Sequence, residues 1–350
     1  MKEKFIKKKF TEYYQKNSIR IKTPETIEQR EFGFSLFKKG LMIRHKSFKE
    51  INQLRNFIKL TVPSDVYYSS AYYESPNASM DKKNWLGADL IFDIDADHLE
   101  ISCRANHGDK WICENCLNES KNEVIKLVEV LITDFGQSPN NIRVYFSGHR
   151  GYHVHVNSIE VRELGNSERK EIVDYISGPD LEDIKTIKNG HNTYKEFLKG
   201  LKPDEPGWRG RIAKGIYEDS NNLNSLNLSF TNKNIKIGEL KATIKKIIKK
   251  NSIRIDPVVT IDTHRLIRLS ETLHGKTGFR TIKIEINELE DFDPFADAIA
   301  WNGRKEIFII NSPRFRIGNE EFGPFKKEKV ELPMAGAVLL LCKKRAVLRD

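Results

Sequence analysis

The sequence predicts an α/β (α+β) body assembled from both ends of the chain, with a helical insertion between them. Three observations lead there. Short apolar runs fall at 88–96, 142–147 and 152–157, with the period-two alternation of strands that bury one face. Between them, the segment 120–135 spaces Val124, Leu127, Val128, Val130 and Leu131 as one face of a helix. Near residue 160 the character changes: 161–250 is polar and helical, and strand-like character returns after Arg254. The body is therefore assigned to 1–160 and 251–350, and the insertion to 161–250.

Taken in order, the first fifty residues read as a helix followed by a hairpin. Phe32, Phe34 and Leu36 alternate with smaller or polar residues, Lys38-Lys39-Gly40 supplies the turn, and 41–44 returns. A helix follows at 48–60. Within the insertion, Gly165-Asn166-Ser167, Gly178-Pro179 and Pro203-Asp204-Glu205-Pro206-Gly207 punctuate the helices. Its last helix gathers Leu240, Ile244, Ile247 and Ile248 on one face, with Lys241, Lys245, Lys246, Lys249 and Lys250 over the rest. A solvated surface accounts for those lysines, and a phosphate-backbone contact is the alternative. The apolar run 334–342 is far shorter than the ~18–20 residues that span a bilayer. It reads as a buried strand or helix. No apolar signal region follows the lysine-rich first ten residues, so a cytosolic chain is expected.

The hydrophobic fraction of 39% is enough for a core, and the formal net charge is +10. That charge favours polyanionic partners such as nucleic acids or nucleotides, although a lysine-rich chain can carry it for solubility alone. Of four cysteines, Cys103, Cys113 and Cys116 fall within fourteen residues. Clustering in a reducing compartment points to metal rather than disulfides. Cys342 lies in the apolar run and reads as a core residue.

The stretch Asp89-Leu90-Ile91-Phe92-Asp93-Ile94-Asp95-Ala96-Asp97 is the most informative. Side chains on a strand alternate faces, so Phe92 and Ile94 point one way and Asp93 and Asp95 the other. Two carboxylates that close repel, and ionised carboxylates are costly to bury. A divalent cation removes both costs, and oxygen ligands suit magnesium or manganese. The plainer reading is an exposed strand end with scattered acids, against which the apolar neighbours argue. Asp97 falls at the strand exit.

Three further segments carry chemistry. Cys103-x3-His107-x5-Cys113-x2-Cys116 supplies three sulfurs and one nitrogen, a set that closes a tetrahedral, structural zinc site. At 143–157, two alternating strands flank the turn Ser147-Gly148-His149-Arg150-Gly151. Its glycines permit close approach of an anion, and Ser147, Arg150 and His153 would face phosphate. His155 shares a face with His153, but a lone histidine is more often structural. The third segment holds Arg254-Ile255-Asp256-Pro257, Asp262-Thr263-His264-Arg265-Leu266-Ile267-Arg268-Leu269 and Leu273-His274-Gly275-Lys276-Thr277-Gly278. One of its acids could complete a metal site, while Arg268, His274 and Lys276 would neutralise a triphosphate.

Taken together, these segments resemble the catalytic small subunit of archaeal and eukaryotic type DNA primase. Four blocks stand in that family's order: Phe92-Asp93-Ile94-Asp95, the cluster from Cys103 to Cys116, Ser147-Gly148-His149-Arg150-Gly151-Tyr152-His153, and the two blocks between Arg265 and Gly278. Arg30-Glu31-Phe32 with Ile43-Arg44, and Phe292-Asp293-Pro294-Phe295, are similar too. The resemblance covers most of the chain outside the insertion. It implies a mixed sheet flanked by helices, a helical subdomain and a zinc-bearing loop. It also implies a third catalytic carboxylate, Asp256, eighteen residues before His274, with Asp262 as runner-up. Ser147, Arg150, His153, Arg268, His274 and Lys276 match positions that hold the nucleotide's phosphates, and Arg44 matches a basic position near them. Eukaryotic members often have arginine where this chain has His149; that difference and the use of His107 look archaeal.

The implied activity is synthesis of short RNA primers on single-stranded DNA from nucleoside triphosphates, with Mg2+ or Mn2+ on Asp93, Asp95 and Asp256. A large subunit and other replication proteins are the implied partners. Three rivals remain at this point: a repair or lesion-bypass polymerase of the same superfamily, a zinc-containing nucleic-acid-binding protein without catalysis, and a metal-dependent phosphohydrolase.

Overall fold

The computed structural model describes residues 2–38, 40–108, 111–179, 201–222 and 237–348. Lys39 in the expected turn, the side chain of Leu240 and the stretches 180–200 and 223–236 of the expected insertion lie outside them.

The expected hairpin forms. Strand β1 (Phe32–Ser35) pairs antiparallel with β2 (Met42–Lys46), after an N-terminal helix Lys2–Asn17 that buries Phe10 and Tyr14. β3 (Asp65–Ser69) takes the other edge of β1, and β9 (Leu266–Arg268) pairs with β3, giving the sheet order β2-β1-β3-β9. A second four-stranded sheet runs β10-β7-β8-β6, from β6 (Leu90–Asp95), β7 (Ile142–Phe146), β8 (Gly151–Val156) and β10 (Ile282–Ile284). The α+β class holds. The described strands form five sheets, of which these two are the four-stranded ones, and every pairing among them is antiparallel.

The run expected as one strand at 88–96 is two. β4 (Ala71–Tyr73) pairs with β5 (Trp85–Ala88) in a separate ribbon, and Asp89 alone separates β5 from β6. The cause is a buried carboxylate with its own donors. Asp89 accepts from Arg30 Nη2 at 2.7 Å and from the Tyr72 hydroxyl at 2.7 Å. Arg169 donates to the carbonyls of Ala88 and Asp89 at 2.9 and 3.0 Å. A buried charge is tolerated when paired and hydrogen-bonded in this way, and these contacts outweigh continuation of the strand.

The helix Glu114–Thr133 starts earlier than its periodicity suggests, because Cys116 and Leu117 are also buried. It packs across β6 and β8. The apolar run near the C-terminus is the helix Met334–Cys342, buried along Ala335 to Leu341. These elements share one main core, which also takes Val173 and Ile176 from the helix Asn166–Ser177. A separate small core holds Ile212, Ile216, Ile244, Ile247 and Ile248, where the helices Gly207–Asn222 and Ile237–Asn251 meet. Lys249 and Lys250 pair with Glu100 and Glu218 at 3.1 and 3.5 Å, which suits the solvated reading of that helix. No described helix is long and apolar enough to cross a membrane.

β8 opens on Gly151 for lack of space. A Cβ there would run into the Ile94 carbonyl and the Asp95 carboxylate. We expect Gly151→Ala to destabilise by about 1–3 kcal/mol, as overpacking does, and to displace Asp95. Denaturant midpoints and activity measured together will show both effects.

Candidate active site

Strand register assembles the centre. In the β6–β8 pair Asp93 lies opposite His153 and Asp95 opposite Gly151. Phe92 and Ile94 are fully buried, so the aspartates occupy the other face, as alternation requires. Asp256 arrives from far along the chain. Its backbone N–H donates to the Asp93 carbonyl at 2.8 Å, and its side chain caps the short helix Pro257–Ile261 by accepting from the Val258 N–H. Asp262 instead accepts from the His264 N–H, and its charge falls on Tyr73 and Arg169. Of the two candidates for a third carboxylate, the structure brings Asp256 to Asp93.

Asp93 keeps 19% of its side chain exposed in the mouth of a cavity, with protein packed around the rest. Its Oδ1 is buried without a hydrogen-bond partner, the nearest ring nitrogen being His153 Nε2 at 3.5 Å. Burial, then the charges of Asp95 and Asp256, push its carboxyl well above the usual range, against the pull of Arg265 and Arg150. An orphaned carboxylate oxygen beside two like charges fits a divalent cation on oxygen ligands. The three carboxylates are not drawn together as tightly as the cysteine set: among the described residues, only Cys103, His107, Cys113 and Cys116 bring their ligand atoms within 4.8 Å of one another.

The cavity, of about 200 Å³, is lined by Asp93, Asp95, Ser147, Arg150 and His153 together with Arg265, Arg268, His274 and Lys276. Arg268 is held by Asp65 at 2.6 Å. Asp65 also accepts from the Gly275 N–H at 3.0 Å, so one carboxylate sets both cationic segments. Ser147 Oγ accepts from the N–H groups of His149 and Gly151 and shapes the turn. The Lys276 N–H donates to His274 Nδ1 at 3.0 Å, which places the ring proton of the neutral imidazole on Nε2.

Two of the expected residues have partners that the sequence did not suggest. Arg150 lines the cavity, but its guanidinium is engaged with Asp95 at 2.8 Å and Asp97 at 2.7 Å rather than pointing free. Asp95 at the end of β6 and Asp97 just beyond it attract the guanidinium, so Asp97 both lies in the exit turn Ala96–His98 and holds Arg150. Arg44 is not brought to the cavity. It sits on the edge strand β2 and pairs with the buried Glu31 at 3.0 Å. His155 is structural as its isolation suggested: it is buried, lies 3.4 Å from the Tyr68 hydroxyl and packs on Tyr145.

Sequence reasoning missed Tyr67, Asp65 and Arg265 as parts of this site. The first two sit on β3, where Asp65 and Tyr67 alternate with the more buried Val66 and Tyr68. That period-two signal was present in the chain. Arg265 stood within a recognised block but had no role assigned to it.

Burial, first of all, lowers the basicity of His149, His153, His155 and His274, with His153 held at about 4. An unfolded histidine titrates near ~6.5. Below that pH the unfolded chain binds more protons than the folded one, so stability is complete above ~6.5 and is lost as pH falls toward the folded values. Each such histidine contributes up to about 1.4 kcal/mol per pH unit in that window. Thermal melts between pH 7.5 and 5 should show this fall, and His155→Gln should make it shallower.

The cysteine site is compact. Cys103 Sγ lies 3.4 Å from both Cys116 Sγ and Cys113 Sγ, Cys113 Sγ lies 3.7 Å from Cys116 Sγ, and His107 Nε2 lies 3.4 Å from Cys116 Sγ. A tetrahedron with Zn–S bonds of about 2.3 Å has sulfur–sulfur edges near ~3.8 Å. Ligand types and spacing therefore fit zinc.

Fold and site define an α+β protein that gathers cationic and acidic side chains in one small cavity. The family model described as DNA primase small subunit matches residues 92–286. The DNA primase small subunit PriS of Nitrosopumilus maritimus is 34% identical over 377 residues, spanning 99% of this chain and 98% of the relative. That of Archaeoglobus fulgidus is 37% identical over 351 residues, spanning 97% and 96%. That of Thermoplasma volcanium is 38% identical over 302 residues, spanning 85% and 82%. The chain belongs to the DNA primase small subunit family.

Proposed function

We propose that this chain is the catalytic subunit of a DNA primase. In this reading it is a nucleotidyltransferase, a DNA-directed RNA polymerase that makes short primers on single-stranded DNA and releases pyrophosphate. The observation that carries the reading is the cavity itself: Asp93, with its orphaned oxygen, and Asp95 line it together with Arg265, Arg268, His274 and Lys276.

Asp93, Asp95 and Asp256 would hold divalent Mg2+ or Mn2+, which when bound favours ionisation of a 3′-hydroxyl and offsets charge on the reacting phosphate and departing pyrophosphate. The cationic wall binds the triphosphate and orients it toward the carboxylates. Asp65 holds Arg268 and the Gly275 N–H in place for that task. His153, kept neutral by burial, donates or accepts a hydrogen bond beside Asp93 without adding charge. Ser147 keeps the turn tight enough for a phosphate to approach. Positioning and electrostatics are thus the chain's main contributions. Arg44, tied to Glu31 away from the cavity, is left out of this set.

Cys103, His107, Cys113 and Cys116 would hold a structural zinc. We assign the body to the main core and a separable helical unit to the small core around Ile212 and Ile244. The partners in this reading are a primase large subunit, single-stranded DNA, nucleoside triphosphates and replication proteins, in the cytoplasm.

The test is synthesis without a primer. Purified chain, with a large subunit, receives unprimed single-stranded DNA, nucleotides and Mg2+ or Mn2+. New oligonucleotides that vanish in Asp95→Asn support the reading. Extension of supplied primers only would make this a repair or bypass polymerase. Nucleic-acid binding with no product from the wild type would leave a non-catalytic zinc protein.

A further inference from the structure

The helix Met334–Cys342 ends at Lys343, which reaches the back of the cavity wall. Lys343 Nζ lies 2.6 Å from His149 Nε2. An ammonium group has donors only, so Nε2 must offer its lone pair and the ring proton must sit on Nδ1. His149 itself lines the cavity. The ring is fixed on other sides as well. It packs against His274 with centroids 4.8 Å apart, its backbone N–H donates to Ser147 Oγ, and the neighbouring Gly148 carbonyl accepts from Thr277 Oγ1 at 2.5 Å. Gly148 has φ +79° and would place a Cβ 3.0 Å from His274 Cβ, so the turn and the His274 segment interlock.

We infer that Lys343 is a positioning residue for triphosphate binding. It locks His149 as a neutral Nδ1–H donor facing the cavity, and it supplies from behind the wall the positive charge that this imidazole does not carry. The inference rests on the reading of the cavity as a triphosphate site. Burial and the surrounding cations Lys343, Arg150 and Lys276, with His274, keep His149 neutral. Lys343 is in turn faced by Lys276, Arg150, Cys342 and Arg345, besides His149 and His274. Burial, then Lys276 and Arg150, bring its ammonium down to about 8. Arginine at this position would stay charged throughout the same range.

The test is the nucleotide KM and kcat of the full enzyme between pH 7 and 9.5, for wild type, Lys343→Arg and Lys343→Met. In the wild type KM should rise as pH passes about 8, by about tenfold, the size of a lost charge-assisted contact. Lys343→Arg should restore binding and remove the alkaline rise. Lys343→Met should raise KM already at pH 7, with a flat profile and little change in kcat. An alkaline rise that persists unchanged in Lys343→Arg overturns the inference, as does an unaltered KM in Lys343→Met. Should Lys343→Met fail to fold, the arginine profile decides alone. Arg268→Met serves as the reference: if it too leaves KM unchanged, the triphosphate reading fails; if it raises KM while the Lys343 variants do not, only the role of Lys343 fails.

Discussion

Asp93→Asn is expected to reduce primer synthesis on the order of 10³-fold and, in the absence of divalent ions, to raise the melting temperature. The two effects share one cause. Asp93 is pushed toward its neutral form by burial and by Asp95 and Asp256. A carboxyl raised in the folded state contributes stability at low pH and loses it as pH rises through the folded value. At neutral pH this carboxyl therefore opposes folding, and the uncharged amide removes that opposition. Divalent ions should reverse the order, because a ligand that binds only the folded state stabilises it. Wild type should gain melting temperature with Mn2+ or Mg2+, and Asp93→Asn should gain little. Thermal melts with and without the ion check this. A variant that melts lower in both conditions would mean that Asp93 serves packing instead.

Loss of zinc should have the next largest effect. Cys116 is buried at the start of the helix Glu114–Thr133, and the loop it closes packs Trp111 against Phe315 at 5.8 Å. Trp111 and Ile112 also pack beside His149, Thr277 and Lys343, directly behind the cavity wall. Cys116→Ala should lose the metal and cost roughly 2–4 kcal/mol. Trp111 and Leu117 belong to the main core, so that cost falls on the body itself, and nucleotide KM should rise with it. Metal content by mass spectrometry, a melt and a KM measurement decide it. Full zinc content in Cys116→Ala would remove the assignment.

Much of this was legible in the chain because it is local. Asp93 and Asp95 share a face by alternation alone, and the cysteine spacing by itself pairs ligands with a tetrahedral metal. What the chain does not print is register and distance. Nothing near Asp93 says that His153 will lie opposite it; the β6–β8 pairing does. What favours Asp256 over Asp262 is one backbone hydrogen bond to Asp93, formed between residues far apart in sequence. Asp89 broke a run that reads as one strand because its partners, Arg30, Tyr72 and Arg169, come from three other segments. Lys343 had no sequence signal at all, since its role exists only where the last helix meets the turn at His149.

The central claim is that this cavity joins nucleotides rather than cleaving them. It is tested most directly by counting products on unprimed single-stranded DNA, with pyrophosphate, orthophosphate and new phosphodiester bonds measured in the same reaction. The account predicts one pyrophosphate for each bond formed, no excess orthophosphate, and loss of both products in Asp93→Asn. Orthophosphate released without oligonucleotide would make the same residues a phosphohydrolase site and contradict it.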